Sequence, residues 1–463
     1  MMRAFSLAEA AVLTGGHCND DTALLRQYAS VSTDTRKIQQ GDLYVALRGE
    51  HFDGHGFLDA AREAGAVGAV VDAVDDSVAL PQIVVQDTVN ALAQLAAGNR
   101  NESAARLVAV TGSSGKTTVR EMVASILAQA GPTLATEGNL NNHIGVPLTL
   151  FRLDPQHRFG AIELGASGLG EIAHTVAITR PEVAILTNAG SAHLEGFGSY
   201  ENIVEAKGEI IEGVPADGLV VLNGDDPALA IWQKRAGERR VAVVCRESDQ
   251  RADYYPTEVA ADFHGQSFIA HHRDGWQCSV SLALHGDHNI TNALLAIAAV
   301  RALGVADEAV RQGLQALQAV KGRLQMVEVS PSLTVIDDSY NANPASMKAA
   351  IGVLASRPGT RIAVLGAMAE LGPESRALHR EVGAFARTQG IERLMVVGPG
   401  GDGYVDGFGD TTELCQTHTE AVDRLLVDQQ RPLTVLVKGS RSSAMDRVVE
   451  GIKEKVNNSC CSG

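Results

Sequence analysis

Short apolar runs alternate with amphipathic stretches from one end of the chain to the other. Runs rich in Val, Ile and Leu between polar turns predict strands, and the stretches with helical spacing predict helices between them. Near the start the runs are LYVAL (43–47), AVGAVV (66–71) and QIVVQ (82–86), with helical stretches at Gly56–Gly65 and Thr88–Ala97. The polar segment Gly98–Ser103 predicts a linker. A second series runs through RLVAV (106–110), GAIEL (160–164), VAILT (183–187), LVVLN (219–223) and VAVVC (241–245). A third has LTVIDD (333–338), RIAVLG (361–366), RLMVVG (393–398) and LTVLVKG (433–439). Strands so continuously apolar, alternating with helices, predict α/β domains with parallel sheets covered on both faces. Residues 255–285 break the rhythm: SFIAHH and WQCSVSLAL alternate without long helices and predict a small antiparallel sheet. A strong helix follows at 289–304, with Asn or Thr placed to cap it. The closing NNSCCSG (457–463) predicts a disordered tail.

Composition narrows the class. At roughly 150 residues per domain, 463 residues suggest about three domains. The formal charge of −16 argues against a general nucleic-acid or anionic-membrane binder. Any phosphate is therefore held by a few placed donors. Six cysteines, four scattered and Cys460 and Cys461 in a polar tail, form no disulfide framework and fit a reducing, cytoplasmic setting. The opening residues lack the apolar run of a signal peptide, and no stretch approaches the length of a membrane span.

The most informative segment is Thr111–Thr118, TGSSGKTT, between the strand RLVAV and the amphipathic helix VREMVASILAQAG. Glycines let backbone N–H groups turn inward, a helix N-terminus favours anions, and a lysine reaches terminal phosphates. Gly112, Ser113, Ser114, Gly115, Lys116, Thr117 and Thr118 are thus candidate phosphate ligands, and a threonine hydroxyl would meet Mg²⁺. The spacing G-x-x-x-x-G-K-[ST] is not met, because Val110 stands where its first glycine belongs. Glu163, at the end of one strand, and His193, after another, lie where open α/β sheets gather ligands. Each also has a plain structural reading, as a helix-entry acid and a loop histidine. Lys207 lies between acids at i−2 and i+2, which do not face it on a helix, and composition alone makes it a solvated lysine.

On these residues the chain resembles the ATP-dependent Mur ligases of peptidoglycan synthesis. TGSSGKTT is similar to the family's T-G-x-x-G-K-[ST]-[ST], and ELGAS, NAGSAHLEGFGSYENIVEAKGEI, HGDHNITNALLAIAA and KGR follow in the family's order. The resemblance implies three α/β domains: a UDP-sugar-binding module at 1–103, a central P-loop ATP-binding domain with a small antiparallel sheet at 104–321, and a Rossmann-like domain at 322–463. It implies ATP between the last two domains. Lys116, Glu163, His193 and Lys207 become catalytic candidates. One Mg²⁺ would lie near Thr117 and Glu163, and a second near His193 and a carbamylated Lys207. Asn289 and Asn292 would read adenine, Arg323 would contact the γ-phosphate, and Asp338 the ribose, with Tyr340, Asn341 and Asn343 in the same cleft.

STDTRKIQQGDLYVALRGEHFDGHGF, EGNLNNHIGVPLTL, DDSYNANPASMKAA, LGAMAELGPES and VLVKGSRSSAMDRVV resemble one branch. Membership would mean joining D-alanyl-D-alanine to UDP-N-acetylmuramoyl-tripeptide through an acyl phosphate. Thr33, Asp34, Arg36 and Arg48 would then serve the uridine diphosphate, and Asn139, Asn142 and Ser167 the muramoyl-peptide end. Lys438, Ser440 and Arg441 would grip the dipeptide carboxylate. Surface arginines, an Asx-turn at Asn341–Pro344 and a helix-entry turn at Lys438 are the plainer alternatives. The resemblance also implies a monomer. Rival functions are a Mur ligase adding one amino acid, folylpolyglutamate synthase, and a P-loop nucleotide switch without ligase activity.

Overall fold

A computed structural model describes residues 2–49, 52–190, 194–262, 265–427 and 432–460. Their strands gather chiefly into a five-stranded, a nine-stranded and a six-stranded sheet. In the N-terminal sheet Gln82–Val84, Gly68–Val71, Leu43–Val45 and Val31–Ser32 run parallel, with His17–Cys18 added antiparallel at one edge. The C-terminal sheet is parallel from Leu333–Asp338 through Leu433–Lys438, Thr360–Gly366 and Arg393–Val397 to Glu413–Cys415. Gln325–Ser330 joins its edge antiparallel. Both faces of that sheet carry apolar clusters, which is why its strands are apolar throughout.

The central sheet runs parallel in the order Thr133–Ala135, Phe159–Glu163, Arg106–Thr111, Val183–Leu186, Leu219–Asn223, Arg240–Val244. Arg106–Thr111 therefore has neighbours later in the chain on both sides. That switch point opens a crevice at the carboxyl ends of the strands.

Three readings of the sequence need correction. The antiparallel segment is not a separate sheet: Tyr254–Ala261, Gln266–His272 and Gln277–Leu282 continue the central one, linked where Val244 pairs with Tyr254. Gly98–Ser103 is no linker, because helix Thr88–Glu102 runs through most of it. Asn99 Nδ2 donates to the Leu150 and Leu153 carbonyls, and Arg100 donates to those of Thr179 and Arg180. The polarity that suggested a loop is spent on backbone groups of the central domain. The tail begins as helix, since Asp446–Cys460 is helical. Among the described residues no helix is long and apolar enough to cross a membrane.

Candidate active site

The strand Arg106–Thr111 delivers the chain into the crevice, and helix Lys116–Ala130 leads it out. The loop between them is pinned by the next strand's exit. Ser113 N–H donates to the Asn188 carbonyl at 3.0 Å, Ser114 N–H to Asn188 Oδ1 at 3.0 Å, and Thr187 Oγ1 to the Ser114 carbonyl at 2.6 Å. Gly112 has φ +146°, and a Cβ there would overlap Thr187 Oγ1. Gly115 has φ +79°, and its Cβ would stand 2.9 Å from Asn292 Oδ1. Only glycine fits either position. The first-turn amides of the helix have no carbonyl one turn earlier to meet, so the cradle suits an anion.

Lys116 folds back over the loop, its Nζ 2.7 Å from the Gly112 carbonyl. Burial pulls this ammonium below its usual range, Glu163 opposes that, and Arg323 adds to it. Arg323 comes from the far side of the cleft: its Nη2 donates to Thr117 Oγ1 at 2.9 Å, and its guanidinium lies 4.4 Å from the Tyr340 ring centre. Arg441 approaches the same ring at 5.7 Å.

Lys116, Thr117, Arg323 and Tyr340 line a cleft of about 470 Å³, a size suited to a nucleotide-sized ligand. Ser113, Ser114, Gly115, Lys116, Thr117 and Thr118 form one wall. Asn139, Asn142, Glu163 and Ser167 line it on the central-domain side. Asn289, Asn292, Arg323, Asp338, Tyr340, Asn341, Asn343 and Lys438 complete it. Gly112, Lys207, Ser440 and Arg441 lie outside that lining. His193 is outside the described residues.

Several side chains already have work. Asn289 is not the helix cap expected of it, because Asp287–Ala302 begins after Gly286. Its Nδ2 donates to the His285 carbonyl, and its Oδ1 accepts from Asn292 Nδ2 at 3.0 Å. Asn343 caps helix Pro344–Ala355 in a reciprocal pair with Ser346. Asn142 Oδ1 accepts from Gly145 N–H at 2.8 Å. Lys438 is no free grip on a carboxylate: it is 2% exposed, 2.6 Å from Asp338 Oδ2 and 2.8 Å from the Asn341 carbonyl. Burial raises the Asp338 carboxyl above its usual range while Lys438 opposes it. Ser440 is buried among Ser442 and Ser443, whereas Arg441 is exposed.

In the N-terminal domain Asp34 caps the turn Thr35–Lys37 and grips Arg36 through both oxygens, close to Thr33. Arg48 is bidentate to Asp72, at 2.8 and 2.9 Å, and also meets Asp53. Both arginines are thus held by carboxylates that a diphosphate would have to displace.

Glu163 ends its strand 2% exposed. Oε1 accepts from Asn141 Nδ2 at 2.8 Å, while Oε2 is buried with no hydrogen-bond partner. An orphaned carboxylate oxygen and the Thr117 hydroxyl fit a hard cation such as Mg²⁺. No three His, Cys, Asp or Glu among the described residues form a metal cluster, so phosphate and water would supply the other ligands. Lys207 is 1% exposed, not solvated. Its Nζ donates to the Ala166 carbonyl at 3.2 Å and lies 4.9 Å from the Phe197 ring centre. Burial, then Lys116, pulls it down to about 7, an amine able to meet CO₂ near neutrality.

Sequence reasoning passed over Asn141, Thr187, Asn188 and His288. His288 lines the cleft beside Asn289. Asn141 and His288 sit directly beside the chosen Asn142 and Asn289, but only the fold shows what they touch.

Models of the "Mur ligase family, catalytic domain", the "Mur ligase middle domain" and the "Mur ligase, glutamate ligase domain" match residues 27–100, 110–300 and 322–441. The chain belongs to the Mur ligase family. This Mur ligase is 46% identical over 439 residues to UDP-N-acetylmuramoyl-tripeptide–D-alanyl-D-alanine ligase of Escherichia coli (strain K12), covering 93% of this chain and 94% of that one. Its structure resembles a crystal structure of MurF from Acinetobacter baumannii with a TM-score of 0.92 at 34% identity, over 98% of this chain and 99% of that one. MurF ligase from Thermotoga maritima in complex with ADP gives 0.84 at 28% identity, over 93% and 98%.

Proposed function

We infer that this Mur ligase joins D-alanyl-D-alanine to the terminal carboxylate of UDP-N-acetylmuramoyl-tripeptide, cleaving ATP to ADP and phosphate. The product is the UDP-N-acetylmuramoyl-pentapeptide precursor of peptidoglycan. The observation that carries the reading is the near-full-length identity to a ligase of that name, and the two-sided phosphate cleft suits it.

Amide formation from a carboxylate is uphill in water, so the carboxylate is first activated. A carboxylate oxygen takes the γ-phosphoryl group, giving an acyl phosphate and ADP. The dipeptide amine attacks the carbonyl carbon, loses a proton, and the tetrahedral intermediate collapses with release of phosphate. Loop amides and Lys116 would bind the phosphates, and Arg323 would meet the γ-phosphate from the other wall. Asn289 and Asn292 would face adenine, and Asp338 the ribose, with Tyr340 beside it. Asn139, Asn142 and Ser167 would meet the muramoyl-peptide. Arg441, the exposed cation of its segment, is a better dipeptide-carboxylate ligand than Lys438. Arg36 and Arg48 would exchange their carboxylates for the uridine diphosphate.

Mg²⁺, when bound, supplies neutralisation of phosphate charge. Thr117 and Glu163 would hold one ion, and His193 with carbamylated Lys207 a second. Cys18, Cys245, Cys278 and Cys415 are free, which suits the cytoplasm. The test is phosphate release from ATP with the UDP-tripeptide, with and without D-alanyl-D-alanine. Release requiring both, with the pentapeptide nucleotide identified by mass, is the expected result. Service by a single amino acid would put the chain in another branch, and hydrolysis indifferent to both substrates would remove the ligase reading.

A further inference from the structure

Arg120 lies four residues past Lys116 on helix Lys116–Ala130, on the same face. Its side chain is 4% exposed and stands behind Glu163, outside the cleft lining. One Nη meets Glu121, but Nε is buried with no hydrogen-bond partner. That Nε is 3.9 Å from Glu163 Oε2, the other orphan of the region. Its chain neighbours Val119, Met122 and Val123 belong to the apolar core, where a cation is costly without a partner charge. Opposite charges at this separation attract strongly away from water. Glu163 is consequently held from two sides, by the neutral Asn141 amide on Oε1 and by a fixed positive charge beside Oε2.

We propose that Arg120 is a positioning residue that keeps the Glu163 carboxylate oriented as the ligand of a divalent cation at the phosphate loop. It rests on the reading of Glu163 as a cation ligand given above. Partners behind a ligating carboxylate fix its geometry, and their loss typically costs about 10- to 100-fold in metal affinity.

The test uses Mn²⁺ as the probe, titrated into the full chain with ADP and followed by electron paramagnetic resonance. Thermal melting is measured on each variant. Arg120→Gln is expected to weaken Mn²⁺ binding about tenfold or more, with the KM for D-alanyl-D-alanine unmoved. Arg120→Lys, which keeps the charge, is expected to restore most of the affinity. Arg120→Met, which keeps the apolar stem, serves if the glutamine variant does not fold. Wild-type Mn²⁺ affinity in a folded neutral variant would overturn the proposal. So would an Arg120→Lys protein as weak as the neutral ones, because the loss would then follow packing rather than charge. If the wild type itself bound no Mn²⁺ with ADP, the cation reading of Glu163 would fall first.

Discussion

His288 shows how one cleft residue ties stability to pH. Burial lowers its imidazole from an ordinary 6.5 to about 4, and the nearby Lys438 charge pushes the same way. Between those values the unfolded chain binds a proton there that the folded chain refuses, so stability falls as pH drops from 6.5 toward 4. His288→Gln should flatten that part of the profile, read as denaturant midpoints at several pH values. An unchanged slope would show that other groups set it. Gly112 makes a steric prediction. With φ +146° and no room for a Cβ beside Thr187 Oγ1, Gly112→Ala must shift the loop that Thr187 and Asn188 pin. Misplacement of about 1 Å can cost about a hundredfold, so kcat/KM for ATP should fall by that order in a protein that still melts cooperatively. Near-wild-type kcat/KM would mean that the loop tolerates the displacement.

The parallel strands were legible in the sequence because each is covered on both faces and so reads as a continuous apolar run. Thr133–Ala135 and Glu413–Cys415 escaped for the opposite reason: three residues at a sheet edge leave no pattern. The strand–loop–helix around Thr111–Thr118 was equally legible, since its pattern is local to one stretch of chain. The contacts of Asn141, Arg120 and Lys207 were not, since they join residues brought together only by the parallel sheet. Helix Thr88–Glu102 was half read, its polar end mistaken for a linker, because capping distant carbonyls and facing water require the same residue types. Arg100 tests that correction. It is 8% exposed and donates to the Thr179, Ser103 and Arg180 carbonyls. Arg100→Ala would strand those carbonyls at about 2–4 kcal/mol, lowering the urea midpoint. A change within about 0.5 kcal/mol would return the segment to the status of a surface linker.

At the scale of the whole molecule, one apolar cluster runs from Met2 through Phe5, Leu92 and Leu107 to Ala252, so the N-terminal and central domains share a core. The C-terminal domain has two clusters of its own. Between them the chain passes through Gly322 at φ +73° and Leu324 at φ +49°, on either side of Arg323. Across the cleft, Arg323 bonds Thr117, and the Glu195 N–H donates to the Glu370 carbonyl at 3.3 Å. Separate cores make the C-terminal domain the body that would move in a closure, with the residues flanking Arg323 as its hinge. Such closure would shield an acyl phosphate from water. A Cβ at Gly322 would press on Tyr340, 3.2 Å from its N and 3.3 Å from its Cβ, in a backbone conformation that alanine resists. Gly322→Ala should thus change kcat and KM for ATP together, as hinge variants do, with kcat down about tenfold. Small-angle scattering should show a smaller contraction on adding nucleotide and UDP-tripeptide than the wild type shows. Wild-type contraction and turnover with only a lower melting temperature would mean that the strain is local and the hinge lies elsewhere.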